Sequence, residues 1–280
     1  AGPVIALADA EGAAKLIASQ GDAGAFRVVC LDAAREDGAR KNAGSFDAWL
    51  AAGREDAAPD FEADPQTPLF QLYTSGTTGR AKGAMLSHRN LMAMVVAYLA
   101  DFDCVESDHS MIHAAPMSHG SGLYILPYVA RGAHHVVPAS GGYEASEFVA
   151  LCNAHPNCAT FLAPTMVQRL RVEVEAGNGR PANLRTVVYG GGPMYVDELV
   201  RSLDLFGPVF IQLYGQGESP MTITGLRRAD HEARDPAILG SVGWPRTGVE
   251  VRVADGNGDP LPAGEIGEIL CRGDVVMRGY

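Results

Sequence analysis

At 280 residues with 47% hydrophobic content, the chain can bury a substantial core in one large domain or two smaller ones. Its 22 Lys and Arg against 33 Asp and Glu leave a formal charge of −11, the reverse of the balance that a nucleic-acid-binding surface needs. The five cysteines (Cys30, Cys104, Cys152, Cys158, Cys271) are odd in number, scattered and without a CxxC pair, so neither a disulfide framework nor a zinc site is indicated and they read as buried free thiols in a reducing compartment.

In chain order, β-branched and apolar runs predict strands at 4–7, 26–31, 69–73, 84–86, 135–137, 159–162, 184–189 and 209–213. Helical patterns lie among them at 10–19, 88–100, 144–153, 164–175 and 195–206, with Ser87 as the N-cap of the second. The acidic, proline-bearing stretch 54–68 reads as a linker. This alternation predicts an α/β fold of parallel β-sheets flanked by helices. From Gly240 the texture changes: runs at 249–253 and 268–272, with a turn at Asp255-Gly256-Asn257-Gly258, predict a β-rich antiparallel C-terminal segment. The expected organisation is an α/β core over 1–239 and, over 240–280, the start of a β-rich subdomain of the same large domain. The longest apolar run, 91–100, is too short to span a bilayer, and the first residues carry no signal-peptide pattern, so a cytoplasmic protein is expected. His134 and His135 follow Gly132 in a predicted strand, where alternate side chains face opposite ways, so they read as structural and not as a shared metal site. His109 and His113 have helical spacing but sit in a strand-like run, which again argues against a metal.

Chemistry concentrates at residues 73–83, Tyr-Thr-Ser-Gly-Thr-Thr-Gly-Arg-Ala-Lys-Gly, between two strand-like runs. Glycines let backbone N–H groups turn towards an anion, hydroxyls add donors, and Arg80 and Lys82 supply charge, a composition suited to gripping polyphosphate. A Gly/Ser/Thr-rich surface hairpin is the structural alternative. The P-loop of nucleoside triphosphatases is excluded by spacing, because Lys82 is followed by Gly83 where that motif needs Ser or Thr, and no helix begins directly after the loop.

This stretch, with Met85-Leu86-Ser87-His88-Arg89-Asn90 after it, resembles the phosphate-binding signature of AMP-forming adenylating enzymes: the acyl-CoA synthetases, peptide-synthetase adenylation domains and beetle luciferases. Further matches follow in the family's order. Pro116-Met117-Ser118-His119-Gly120 resembles the segment at the mouth of the acyl pocket, Tyr189-Gly190-Gly191-Gly192-Pro193 the turn lying against adenine, and Tyr214-Gly215-Gln216-Gly217-Glu218 the motif beside the nucleotide. Gly240-Ser241-Val242-Gly243-Trp244-Pro245 and Gly264-Glu265-Ile266-Gly267-Glu268-Ile269 resemble the β-rich close of the large domain.

The resemblance implies a layered acyl-CoA synthetase-like large domain and a two-step reaction. A carboxylic acid attacks the α-phosphate of ATP to give an acyl-adenylate and pyrophosphate, and the CoA thiol then displaces AMP. Thr74, Ser75, Gly76, Thr77, Thr78, Gly79 and Lys82 would cradle the β- and γ-phosphates. Gly190, Gly191, Gly192 and Pro193 would lie at the base, Tyr214 would stack on adenine, and Gly215, Gln216 and Gly217 would lie beside it. Glu218 would hold Mg2+, its competing role being a carboxylate at a helix N-terminus. Catalytic roles would fall to Lys82, His119 and Glu218, with His119 between the nucleotide and acyl pockets. In the family an aspartate that holds the ribose, a hinge and a lysine-bearing lid domain follow, so the chain is expected to be a trimmed part of the large domain, incomplete at its N-terminus and inactive alone. Ala81 stands in place of the usual proline, and Gly217 in place of a threonine, which removes a hydroxyl near the α-phosphate. A catalytically impaired nucleotide-binding or scaffold homologue is therefore the alternative to an active ligase. Met117-Ser118-His119-Gly120 offers no acid for a substrate amino group, which favours a fatty or other hydrophobic acid over an amino acid. The expected partners are that acid, ATP and CoA, with a homo-oligomer left open.

Overall fold

The structure, a computed structural model, describes residues 5–20, 26–31, 43–53, 62, 64–74 and 81–280. Two compact units divide the chain, Ala1–Glu62 and Ala63–Tyr280. The first carries β1 (Ile5–Ala8), α1 (Ala10–Gln20), β2 (Arg27–Cys30), β3 (Ala43–Ser45) and α2 (Phe46–Ala51). Its strands form a parallel sheet in the order β1-β2-β3, over a small core of Ala13, Val28 and Cys30.

The second unit opens on an antiparallel hairpin of β4 (Pro68–Thr74) and β5 (Lys82–Ser87). Pro68, expected in the linker, begins this strand; Asp64 turns the chain into it by accepting from the Thr67 N–H at 2.8 Å, while linker residues 54–61 lie outside the described residues. Ser87 caps α3 (His88–Asp101) reciprocally with Asn90: the Ser87 Oγ accepts from the Asn90 N–H at 3.3 Å, and Asn90 Oδ1 accepts from the Ser87 N–H at 2.8 Å. There follow β6 (Ser110–Ile112), a 3-10 turn (Gly120–Tyr124), α4 (Ile125–Ala130), β7 (His134–Val136), α5 (Ala145–Ala154), β8 (Cys158–Leu162), α6 (Pro164–Glu175), β9 (Leu184–Tyr189), α7 (Val196–Phe206) and β10 (Phe210–Gln216). The unit closes with β11 (Ser219–Leu226), α8 (Arg228–Glu232), α9 (Pro236–Leu239), β12 (Trp244–Pro245), and the antiparallel pair β13 (Val249–Ala254) and β14 (Glu268–Gly273).

The central sheet runs β12-β11-β10-β9-β8-β6-β7, parallel from β10 through β7 and antiparallel at β11 and β12. Alternation along each strand assigns the two faces. Ile112, Leu162, Val187, Tyr189 and Phe210 pack against Phe148, Leu170 and Leu199 from α5, α6 and α7. Their neighbours Met111, Phe161, Val188 and Ile211 pack against Met94, Tyr98 and Tyr128 from α3 and α4. Both faces are covered, which is why these strands are mostly apolar on both faces.

Local patterning did not reveal β11. Its sequence Ser-Pro-Met-Thr-Ile-Thr-Gly-Leu contains Pro and Gly, yet every residue is buried. The antiparallel part of the fold thus begins ahead of Gly240. Cys30, Cys152 and Cys158 are buried as expected, but Cys104 is exposed and Cys271 half-buried, because they sit in a loop and on a two-stranded sheet. Strand β7 begins at His134, whose side chain is exposed, while His135 points inward and stacks on His113, with ring centroids 5.3 Å apart.

Candidate active site

In an open parallel sheet, ligands meet the carboxyl ends of the strands, where loops diverge. Here those ends carry the residues that the sequence singled out. The segment after β6 leads to His119, β9 runs into Gly190 and Gly191, and β10 ends at Gly215 and Gln216. A cavity of about 110 Å³ brings together His119, Gly120, Gly191, Gly215, Gln216 and Gly217. Its remaining walls are apolar: Phe70 and Leu72 from β4, Leu123 and Tyr124 from the 3-10 turn, Phe161 from β8, Leu213 from β10, and Pro220 and Met221 from β11.

The glycines serve close approach. A Cβ at Gly190 would meet the Leu213 carbonyl oxygen at 2.7 Å, and one at Gly215 would meet the Met221 nitrogen at 2.5 Å. Gly191 holds φ +76° with open space above it, so its backbone is free to lie against a planar ligand. Gly192 is similarly open, with Pro164 Cδ at 3.9 Å. Tyr214 is half-buried on β10 opposite Thr224 and does not line the cavity; nor do Gly190, Gly192 and Pro193.

At the phosphate end, Thr74 and Lys82 face each other across the β4–β5 ladder, and the Thr74 hydroxyl donates to the Lys82 carbonyl at 3.4 Å. The hairpin therefore holds both ends of the connecting loop together. Ser75, Gly76, Thr77, Thr78 and Gly79 lie outside the described residues. Glu218 is not at a helix N-terminus, as its competing role required. It sits in the turn between β10 and β11, because the chain reverses there into an antiparallel strand. Its Oε1 accepts from the Tyr280 hydroxyl at 2.6 Å, and this hydrogen bond raises the phenol's pKa above its ordinary value. Among the described residues no other side chain bonds to this carboxylate, so it keeps hard oxygen capacity of the kind Mg2+ takes. The Lys82 ammonium stands 5.2 Å from the centroid of the Tyr280 ring.

At Gly217 the missing side chain has a local cause. A Cβ there would lie 2.9 Å from Thr74 Cγ2 and 3.1 Å from Leu72 Cδ2, while its φ is not in the left-handed region. Crowding by β4, not backbone conformation, is what a larger residue would meet. Behind His119, Ser121 Oγ and His113 Nδ1 are 2.9 Å apart, and His113 Nε2 and His135 Nδ1 are 3.0 Å apart, a buried chain that fastens the 3-10 turn to β6 and β7. Sequence reasoning weighed His113 with His109 and His135 with His134, and found neither this chain nor the cavity's apolar wall. The wall residues come from five separate elements, and Tyr280 carries no motif signal of its own.

A doubly covered sheet with glycine turns and a polar hairpin gathered at its strand ends has the architecture of an α/β ligand-binding enzyme. The chain belongs to the AMP-binding enzyme family, whose profile matches residues 1–280. It is 31% identical over 216 residues to a medium/long-chain-fatty-acid–CoA ligase of Mycobacterium tuberculosis, covering 77% of this chain and 37% of that protein. It is 34% identical over 247 residues to a feruloyl-CoA synthase of an Amycolatopsis species, covering 83% and 49% respectively. The chain thus spans less than half the length of these two curated relatives. Among solved structures, an amide bond synthetase from Marinactinospora thermotolerans superposes with a TM-score of 0.82 at 25% identity, covering 99% of this chain and 53% of that one. ATP-bound MatB from Rhodopseudomonas palustris does so with a TM-score of 0.77 at 26% identity, covering 100% and 52%. Among the described residues no helix is long and apolar enough to cross a membrane.

Proposed function

We propose that this chain is the nucleotide- and acid-binding part of an AMP-forming acid–thiol ligase, which activates a hydrophobic carboxylic acid with ATP and transfers the acyl group to CoA. The observation that carries the reading is the cavity at the strand ends, where the nucleotide motifs at Gly191 and Gly215–Gly217 adjoin an apolar wall. Among the described residues no acidic or basic side chain lines it apart from His119, so a carboxylic acid with an apolar body is favoured and a zwitterionic amino acid disfavoured. The names of the fatty-acid and feruloyl relatives agree with such an acid. Thr74 and Lys82, with Ser75, Gly76, Thr77, Thr78 and Gly79, hold the β- and γ-phosphates; Tyr214 and the turn from Gly190 to Pro193 hold the adenine. Glu218 would hold Mg2+, which neutralises phosphate charge when bound. The protein's own contribution is alignment of the acid with the α-phosphate and exclusion of water by Phe70, Leu72 and Met221.

A second reading, an impaired nucleotide-binding homologue, rests on Gly217 alone. One experiment separates the two and tests the phosphate site. The whole protein is given ATP, Mg2+, CoA and a panel of fatty, aromatic and amino acids, and pyrophosphate and thioester are measured. Acid-dependent pyrophosphate release with apolar acids supports the ligase; its absence with every acid, with ATP still bound, supports the homologue. In parallel, Lys82→Ala should weaken ATP binding by about 10- to 100-fold, the worth of a charge-assisted contact, and leave AMP binding nearly unchanged. Equal weakening of both nucleotides would remove Lys82 from the β/γ end.

A further inference from the structure

We propose that Tyr280 is a positioning residue that holds Glu218 and Lys82 apart and aimed, one for the metal and the other for the phosphates; this rests on the roles given to those two residues above. Opposite charges on two sides of one ring close into an ion pair when nothing intervenes, which would leave neither free for a ligand. No ion pair joins them among the described residues. The phenol stands at both instead. Its hydroxyl donates to Glu218 Oε1 at 2.6 Å, and its ring lies 5.2 Å from Lys82 Nζ, within the range of a cation–π contact. A neutral ring satisfies each charge partially without cancelling it, and among the described residues no other side chain bonds to the Glu218 carboxylate.

The backbone around Tyr280 is fastened in the same place, so the contact is not a dangling one. The Met277 N–H donates to the Glu218 carbonyl at 2.8 Å, which ties this segment to the turn that carries the carboxylate. The Arg278 N–H donates to the Met85 carbonyl at 3.0 Å, and the Met85 N–H donates to the Gly279 carbonyl at 2.9 Å, which ties it to β5, the strand that begins at Lys82. Arg278 Nη1 reaches the Gln66 carbonyl at 2.5 Å. Gly279 makes the final bend at φ +148°, a conformation at ease only for glycine. Segment 277–280 therefore spans from Glu218 to β5, and Tyr280 is its functional end.

The test is calorimetric binding of ATP with and without Mg2+, and of AMP, by the whole protein and four variants. Tyr280→Phe keeps the ring and removes the hydroxyl. The Mg2+ concentration for half-maximal enhancement of ATP binding should rise about 3- to 10-fold, with metal-free ATP and AMP binding unchanged. Tyr280→Leu removes the ring as well, and should weaken metal-free ATP binding by a further 2- to 5-fold, roughly a surface cation–π contact, while sparing AMP. A residue that only supported the fold would shift all three measurements together. Glu218→Gln and Lys82→Ala are the controls. If Glu218→Gln moves the Mg2+ dependence and Tyr280→Phe does not, or tightens it, the positioning role is wrong although the metal assignment stands. If Glu218→Gln itself leaves Mg2+ dependence intact, the assignment of Glu218 fails and the role of Tyr280 with it.

Discussion

Acid should destabilise the large sheet through His113, and the size of the effect follows from its surroundings. The side chain is 4% exposed and stacks on His135 with an interplanar angle of 9°. Burial, and then the neighbouring imidazole of His135, push its pKa from 6.5 down to about 4. The unfolded chain takes up a proton near pH 6.5, whereas the folded chain refuses it until about pH 4. This contribution to stability is therefore fully present above pH 6.5, is lost progressively as the pH falls, and is gone below about pH 4. At roughly 1.4 kcal/mol per pH unit the gap is worth about 3 kcal/mol. His113→Gln keeps a side-chain hydrogen-bonding group beside Ser121 but cannot titrate. Urea unfolding followed by circular dichroism at pH 7, 6, 5 and 4 would give both stability curves. The variant is expected to start less stable, and the difference from the native protein should shrink or reverse by about 3 kcal/mol on going from pH 7 to pH 4. Parallel curves would refute the reasoning, since they would mean that His113 carries the same proton in both states.

Two further perturbations probe packing. Gly217→Thr should lower stability by about 1–3 kcal/mol because its Cβ meets Thr74 Cγ2 at 2.9 Å, and adding Thr74→Ser, which deletes that methyl, should restore part of the loss in a thermal melt. An equal penalty in both backgrounds would show that Thr74 is not the obstacle. Asp103→Ala removes a buried carboxylate that lies 2.6 Å from Arg185 Nη1 and accepts from Thr186 Oγ1 at 2.9 Å, so unfolding free energy should fall by about 3 kcal/mol. A loss under 1 kcal/mol would mean that solvent takes over the arginine's pairing.

Much of the fold was legible because its signals are local. Ser87 followed by Asn90 marks a helix start wherever the helix goes. The apolar end of β9, Val187 to Tyr189, reads as a strand because burial on both faces leaves no polar position there. The phosphate hairpin, the glycine turn and the Tyr214–Glu218 stretch carried the family resemblance for a related reason: close backbone approach and anion binding demand particular residue types at fixed spacing, whatever surrounds them. That same local view misjudged what depends on partners. Strand β11, with Pro220 and Gly225 in it, becomes a strand only because β10 and β12 pair with it on either side. That same pairing puts Glu218 in a turn, which removes the helix-end alternative to its metal role.

By itself the sequence determined the α/β alternation, the Ser87 helix cap and the chemistry-bearing segments, since each rests on interactions spanning only a few residues. Tertiary structure alone decided which of those segments meet. Phe70, Phe161 and Met221 share a wall although they lie on β4, β8 and β11; His135 stacks on His113; and Tyr280 reaches both Lys82 and Glu218. Such contacts are set by strand order and by which face each side chain takes in the sheet. No local pattern encodes strand order, because it is chosen by the burial of the whole core at once.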